Sequence, residues 1–247
     1  MTTDVAWISA DWPAPSGIVA GCTLRDGGVS RNEFKSLNLG EHVGDEPTCV
    51  SENRRRFVRA CGLPSEPVWL NQVHGCDAVV DPPRDSRPDA DAVLSSKAGT
   101  VCAVLTADCL PVVFSSDNGA EIGVAHAGWR GLCGGVLETT VKRFSAAPDS
   151  LLAWLGPAIS PSAFEVGTEV RDAFIRHSED AHSGFERNAS GKWQADLYAL
   201  ARQRLASVGV QRVFGGDFCT YGQPERFFSY RRDGQCGRMA SFVFRSG

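Results

Sequence analysis

With 247 residues, 43% of them hydrophobic and 22% charged, the chain has the composition of a globular protein large enough to bury a substantial core in one large domain or two small ones. Its 25 basic and 29 acidic residues leave a formal charge of −4, so there is no general positive field to collect nucleic acid or an anionic membrane. An anionic ligand has to be held by individual arginines.

The first residues, MTTDVAWISADWPAPSG, carry neither a basic n-region nor an apolar h-region, and nowhere is there a run of about 18 apolar residues. The expected setting is therefore cytoplasmic, with no membrane and no nucleic-acid partner. Nine scattered cysteines without a CxxC pair read as reduced thiols, most of them small buried side chains.

In chain order, residues 17–24 (GIVAGCTL) read as a strand entering the glycine-rich loop Arg25 to Ser30, and SLNLGEHVGD as an irregular loop. Asp45, Glu46 and Pro47 open a helix whose apolar face is Val50, Phe57, Val58 and Cys61, and Gly62 ends it. Its other face carries Arg54, Arg55, Arg56 and Arg59, a solvated surface from which one arginine could turn inward to a phosphate. Residues 68–74 form an expected strand, followed by a proline-rich loop at 82–88.

Four short β-like runs follow, at 91–94, 101–106, 110–115 and 121–127, the last two joined by Asp117-Asn118-Gly119. Residues 128–144 read as one amphipathic helix with Cys133, Leu137, Val141 and Phe144 on one face, despite Gly134 and Gly135. Beyond it come a strand at 151–155, a helix at 168–177, a helix capped by Asp196 and closed by Gly209, and strands at 210–214 and 239–244. Strands outnumber helices and several are joined by tight turns, which predicts mixed sheets packed together with helices outside.

The chemistry converges on residues 105–131. Cys109 ends one apolar run and His126 another, and the turn between them makes those runs neighbours. His74, at the end of LNQVH, is a third candidate. Two imidazoles and one thiolate suit Zn²⁺, and three protein ligands leave the open position typical of a catalytic site. A metal-free reading uses the same atoms: Cys109 as nucleophile, His126 as base, with Asp108 or Asn118 orienting the imidazole. The spacings of these residues match no short zinc motif, so both readings stand on residue chemistry alone.

The segments TLRDGGVS, SLNLG, SENRRRF, LNQVHG, DADAV, TADCLPVVF, AHAGWRG, LGPAIS, FEVG and FSYRRDG with a following GR, in this order along the chain, resemble the YfiH-type laccase-domain family. These bacterial proteins, once described as polyphenol oxidases, are associated with purine nucleoside phosphorylase activity. The resemblance implies one α+β domain over residues 1–247, with two packed mixed sheets flanked by helices in α/β/β/α layers. It implies a zinc ion held by His74, Cys109 and His126, phosphorolysis of adenosine, inosine and methylthioadenosine, and deamination of adenosine.

On this reading a zinc-activated water attacks C6 of adenine while Asp108 shuttles protons. Arg54, Arg130 and Arg231 are candidates for phosphate, and Asn38 and Gln72 for nucleoside hydroxyls or base edges. The alternative is a cysteine- or zinc-dependent amidohydrolase acting on peptide-bearing cell-wall precursors. One departure is visible: Cys236 stands before Gly237-Arg238 where the family usually has threonine. Copper oxidation is read as incidental, because five histidines, with His42, His177 and His182 dispersed, and two methionines, Met1 and Met239, are too few for a multicopper assembly.

Overall fold

Two β-sheets lie face to face between helices in a computed structural model that describes residues 5–246. The four-stranded sheet runs β1 (Trp7–Ser9), β2 (Ile18–Thr23), β13 (Met239–Arg245), β5 (Val101–Thr106), with every pair antiparallel. The six-stranded sheet runs β12 (Arg212–Gly215), β8 (Leu151–Leu155), β6 (Leu110–Ser116), β7 (Ile122–Ala127), β4 (Ala92–Ser95), β3 (Ala78–Val80). Its outer pairs, β12 with β8 and β3 with β4, are parallel and the inner ones antiparallel, so this sheet carries the mixed pairing. A small antiparallel sheet is made of β9 (Glu165–Val166), β10 (Phe185–Arg187) and β11 (Trp193–Ala195).

The period-two alternation of each strand builds the layers. In β5, Cys102 and Val104 meet Val93, Val113, Ile122 and Val124 of the six-stranded sheet in the inter-sheet core. Val101, Ala103 and Leu105 point the other way, onto Phe57 of α1 (Pro47–Ala60) and Cys61 just beyond it. The outer face of the six-stranded sheet, including Val112, Phe114, Ala125 and Leu155, packs under α2 (Trp129–Gly134), α3 (Val136–Lys142), α4 (Thr168–His177) and α5 (Leu197–Ser207). The order is therefore α/β/β/α in an α+β fold.

Two expected elements take a different form. The single helix expected over 128–144 is broken into α2 and α3 at Gly135, whose φ of +103° ends the first helix and starts the second. Residues 68–74 form no strand but keep isolated bridges from Val68 to Cys102 and Asn71 to Asp89. The reason is Gln72: its side-chain amide donates to the Leu105 carbonyl (2.9 Å) and accepts from the Leu105 N–H (2.7 Å), occupying ladder positions that backbone would otherwise take. No helix among the described residues is long and apolar enough to cross a membrane.

Candidate metal centre

Strand register brings the three candidate ligands together. Pro111 pairs with His126 and Val113 with Val124, so His126 lies on the inter-sheet face with Val113, Val124 and Ile122. One step beyond the strand ends, Cys109 comes opposite Gly128, and Asp91, just before β4, opposite His126. His74 arrives from the loop after Gln72. The ligand atoms of His74, Cys109 and His126 lie within 4.8 Å of one another, and the two imidazoles meet edge to face. His74 is exposed, Cys109 half-buried and His126 buried, so the cluster sits at the mouth of the inter-sheet layer and opens to solvent on one side.

Asp91, absent from the sequence-derived set, holds this arrangement. Its fully buried carboxylate accepts from His126 Nδ1 (2.7 Å) and from the backbone N–H groups of Val73, His74 and Gly75 at 3.3, 3.0 and 2.6 Å. Burial works against its charge, but the His126 hydrogen bond and charge and those backbone donors outweigh it and keep the carboxyl below the usual range. An ionised Asp91 can only accept, so Nδ1 of His126 carries the proton and Nε2 is left for the cluster. The same N–H contacts hold His74 in a left-handed conformation, φ +59°. A carboxylate behind a histidine is the usual partner of a metal-ligating imidazole.

Close approach also depends on glycine. A Cβ on Gly128 would sit 2.9 Å from Cys109 Sγ and 3.4 Å from His74 Cδ2, and one on Gly131 would sit 2.7 Å from the Gly75 carbonyl. Burial raises the Cys109 pKa, yet the charges and hydrogen bonds of His126 and His74 bring it down to about 6. His126 is correspondingly raised to about 9: burial lowers it, but Cys109 and Asp91 prevail. The thiol is thus predisposed to be the thiolate a metal requires. A thiolate and two imidazoles converging without an intervening side chain fit a borderline-soft ion such as zinc.

The cluster forms the floor of a cavity of about 360 Å³ lined also by His42, Gln72, Leu105, Thr106, Ala107, Asp108, Ile159, Phe164, Tyr230, Arg231 and Arg238. Of the other sequence candidates, Gln72 and Arg231 border this cavity. Asp108 does too, with φ +93°, but both its oxygens are engaged, one by Thr220 Oγ1 (2.6 Å) and one by the Arg231 backbone N–H (2.6 Å). A carboxylate so held positions the wall and is poorly available to carry protons.

Asn38, Arg54 and Arg130 lie outside the cavity lining. Asn38 is buried and accepts from the backbone N–H groups of Gly40 and Arg238, so its amide shapes the loop that carries Arg238. Arg54 gives Nε and Nη2 to the Leu39 carbonyl and Nη1 to Glu41, and its guanidinium lies over Trp69; its inward turn serves the protein itself. Arg130 is exposed and stacks on Trp129. A larger hollow of about 500 Å³ beside α1 is lined by Arg54, Arg55 and Arg59 with Glu41 and Glu66 and holds none of the three ligands.

His42 and Arg238 join the cavity unannounced. His42 came from a loop with no periodicity, and only the GR near the C-terminus marked Arg238. Cys236, the departure from the family pattern, is buried beside Arg238 and accepts weakly from its Nη1 at 3.5 Å. Asp91 did leave a signal, an acid inside DADAV at the start of an apolar run.

A two-sheet α+β fold with an open His-Cys-His cluster at the end of the inter-sheet layer defines a candidate single-ion metalloprotein. The chain belongs to the YfiH-type laccase-domain family: the family described as multi-copper polyphenol oxidoreductase laccase matches residues 19–246. It is 55% identical to purine nucleoside phosphorylase YfiH of Escherichia coli over 96% of this chain and 98% of that protein. It is 52% identical to purine nucleoside phosphorylase PA4543 of Pseudomonas aeruginosa over 97% and 98% of the two chains. Among solved structures, Neisseria meningitidis protein NMB0706 superposes with a TM-score of 0.93 at 47% identity, covering 98% of this chain and 99% of that one. YlmD from Geobacillus stearothermophilus gives 0.88 at 31% identity, covering 98% and 96%.

Proposed function

We propose that this protein is a cytoplasmic, zinc-dependent purine nucleoside phosphorylase that acts on adenosine, inosine and methylthioadenosine with phosphate and deaminates adenosine as a second activity. The observation that carries the reading is a three-ligand cluster forming the floor of a cavity whose walls offer apolar and cationic side chains. The names of its relatives support the phosphorylase part of this reading. His74, Cys109 and His126 would hold the metal, which when bound supplies Lewis acidity at the cavity floor.

In phosphorolysis a phosphate oxygen forms a bond to C1′ of the ribose as the bond from C1′ to N9 breaks, and the purine leaves with the electron pair and takes up a proton. Ile159, Phe164, Leu105 and Ala107 provide apolar contact for base and sugar and exclude water from C1′. Gln72, whose amide keeps one N–H after bonding Leu105, is the candidate donor to a nucleoside hydroxyl. For deamination, water replaces the C6 amino group and ammonia leaves, and Asp108 would act by fixing the wall at Arg231.

Incubation of zinc-loaded protein with inosine or adenosine, with and without phosphate, tests this. Phosphate-dependent release of free base and ribose 1-phosphate is expected, with ammonia from adenosine; absence of both products under metal-replete conditions refutes the phosphorylase. His74→Ala and Cys109→Ala should each lose zinc and activity while keeping a cooperative unfolding transition. Stoichiometric zinc in either variant would break the ligand assignment.

One observation favours a second reading, a cysteine amidohydrolase on cell-wall precursor peptides: Cys109, His126 and Asp91 also form a thiol–imidazole–carboxylate chain. Chelation separates the two. A phosphorylase dependent on zinc loses activity with its metal, whereas a thiol nucleophile is freed by metal removal and is silenced by alkylation of Cys109.

A further inference from the structure

We propose that the outer wall of the cavity, formed by Arg231 and Arg238 with His42 beside them, is an oxyanion site that takes inorganic phosphate. Identifying the oxyanion as phosphate rests on the phosphorylase reading; the existence of the site does not.

A donor inventory carries the assignment. Arg25, Arg54 and Arg232 spend all three nitrogens on carbonyls or a carboxylate within the protein. The two cavity arginines differ. Arg231 uses only Nη1, on the Glu165 carbonyl (2.9 Å), and Arg238 uses only Nη1, on the Cys236 and Gly237 carbonyls (2.8 and 3.1 Å) and the Cys236 thiol.

In both, Nε and Nη2 have no partner among the described residues. Those two nitrogens form the side-on edge of a guanidinium, the edge that grips a tetrahedral oxyanion with two parallel hydrogen bonds. In each case the bonded Nη1 fixes the plane, so little side-chain freedom is lost on binding. The aromatic neighbours do the same: Arg231 lies over Phe164 with its guanidinium carbon 5.2 Å from the ring centre, and Arg238 over Tyr230 at 5.9 Å.

The local charge agrees. Asp108 is the single carboxylate in the lining, and both of its oxygens already accept hydrogen bonds. Burial and the charges of Arg238 and, from outside the cavity, Arg87 and Arg54 hold His42 below its ordinary range. Asp108 adjoins Cys109 in sequence and accepts from the Arg231 backbone N–H, so the oxyanion wall and the cluster are joined through one residue. A nucleoside bound between them would face the oxyanion on one side and the cluster on the other.

Direct binding of orthophosphate, measured by calorimetry without nucleoside on zinc-loaded and on chelated protein, tests the site. Arg231→Gln and Arg238→Gln should each weaken binding by about tenfold, the loss expected for a charge-assisted bidentate contact. Arg238→Lys should recover part of it, and Arg130→Gln, outside the cavity, should bind as wild type. In turnover the two Gln variants should raise KM for phosphate while leaving KM for nucleoside within about twofold, a split that a general loosening of the fold would not give.

Wild-type affinity in both Gln variants, or binding that disappears on chelation whatever stands at 231 and 238, overturns the site. If phosphate binding depends on these arginines but no base is released from any nucleoside, the oxyanion site stands and the phosphorylase reading falls.

Discussion

Asp91 shows how one buried carboxylate can organise a candidate metal cluster. It orients the His126 ring and gathers three consecutive N–H groups of the His74 loop, so the separation of the two imidazoles is fixed by a side chain outside the three-ligand set. Asp91→Asn should keep the fold yet lower zinc affinity by about 10–100-fold, because an amide nitrogen would face donors where a carboxylate oxygen now accepts them. Competition with a zinc-sensitive chelator reads the change directly. Gly128→Ala is expected to act from the opposite side: its Cβ would push on Cys109 Sγ and the His74 ring. Zinc affinity should fall with little change in far-ultraviolet circular dichroism, and wild-type affinity would show that the cluster can shift to absorb a methyl group.

At the scale of elements, the regular parts of the fold were legible where alternation or helical period was strong. Residues 101–106 became β5 with unchanged bounds, and the Asn118-Gly119 turn did join β6 to β7. Cys109 and His126 were readable for the same reason, since one immediately precedes β6 and the other lies in the last step of β7. Residues 68–74 misled because a side chain, Gln72, does the work of a strand backbone, which apolar patterning cannot reveal. Of the phosphate candidates Arg231 alone borders the cavity; Arg238 was harder to read, for it follows loop residues that no periodicity organises, while Arg54 sits on a regular helix and spends its donors on Leu39 and Glu41. α1 itself rests on Phe57, which meets Trp69 and Phe242. Phe57→Ala should cost about 3–5 kcal/mol of unfolding free energy in denaturant titration; a loss under 1 kcal/mol would mean the sheet face closes over the gap.

For the molecule as a whole, ionisable groups are strained in opposite senses at the two ends of the pH scale. Glu41 and Asp81 are held below their ordinary range: burial opposes this, but hydrogen bonds from Arg87 to the first and from Ser95 and Ser96 to the second prevail. A lowered folded-state pKa gives stability that is present above the unfolded value of about 4 and is lost as pH falls through the folded one. Burial raises Cys22 and Cys61 to about 12, so each contributes stability fully present below the unfolded thiol value, near 8.5, and lost as pH rises toward the folded one. The melting temperature should therefore form a plateau from about pH 5 to 8 with a decline on both sides. A melting temperature that keeps rising above pH 9 would contradict the alkaline limb.

The strand order β1-β2-β13-β5 has a consequence for how the protein is made. β13 lies between β2 and β5, yet it is the last strand to leave the ribosome, while the ligand-bearing β6–β7 hairpin is complete more than a hundred residues earlier. Throughout that interval the nascent chain leaves the facing edges of β2 and β5 unpaired, with no strand to bridge them. Arg238, one residue before β13, takes its position against Asn38 in the step that seals the sandwich. During synthesis the thiol and imidazoles of the cluster are thus present well before Arg231 and Arg238 arrive to complete the cavity around them.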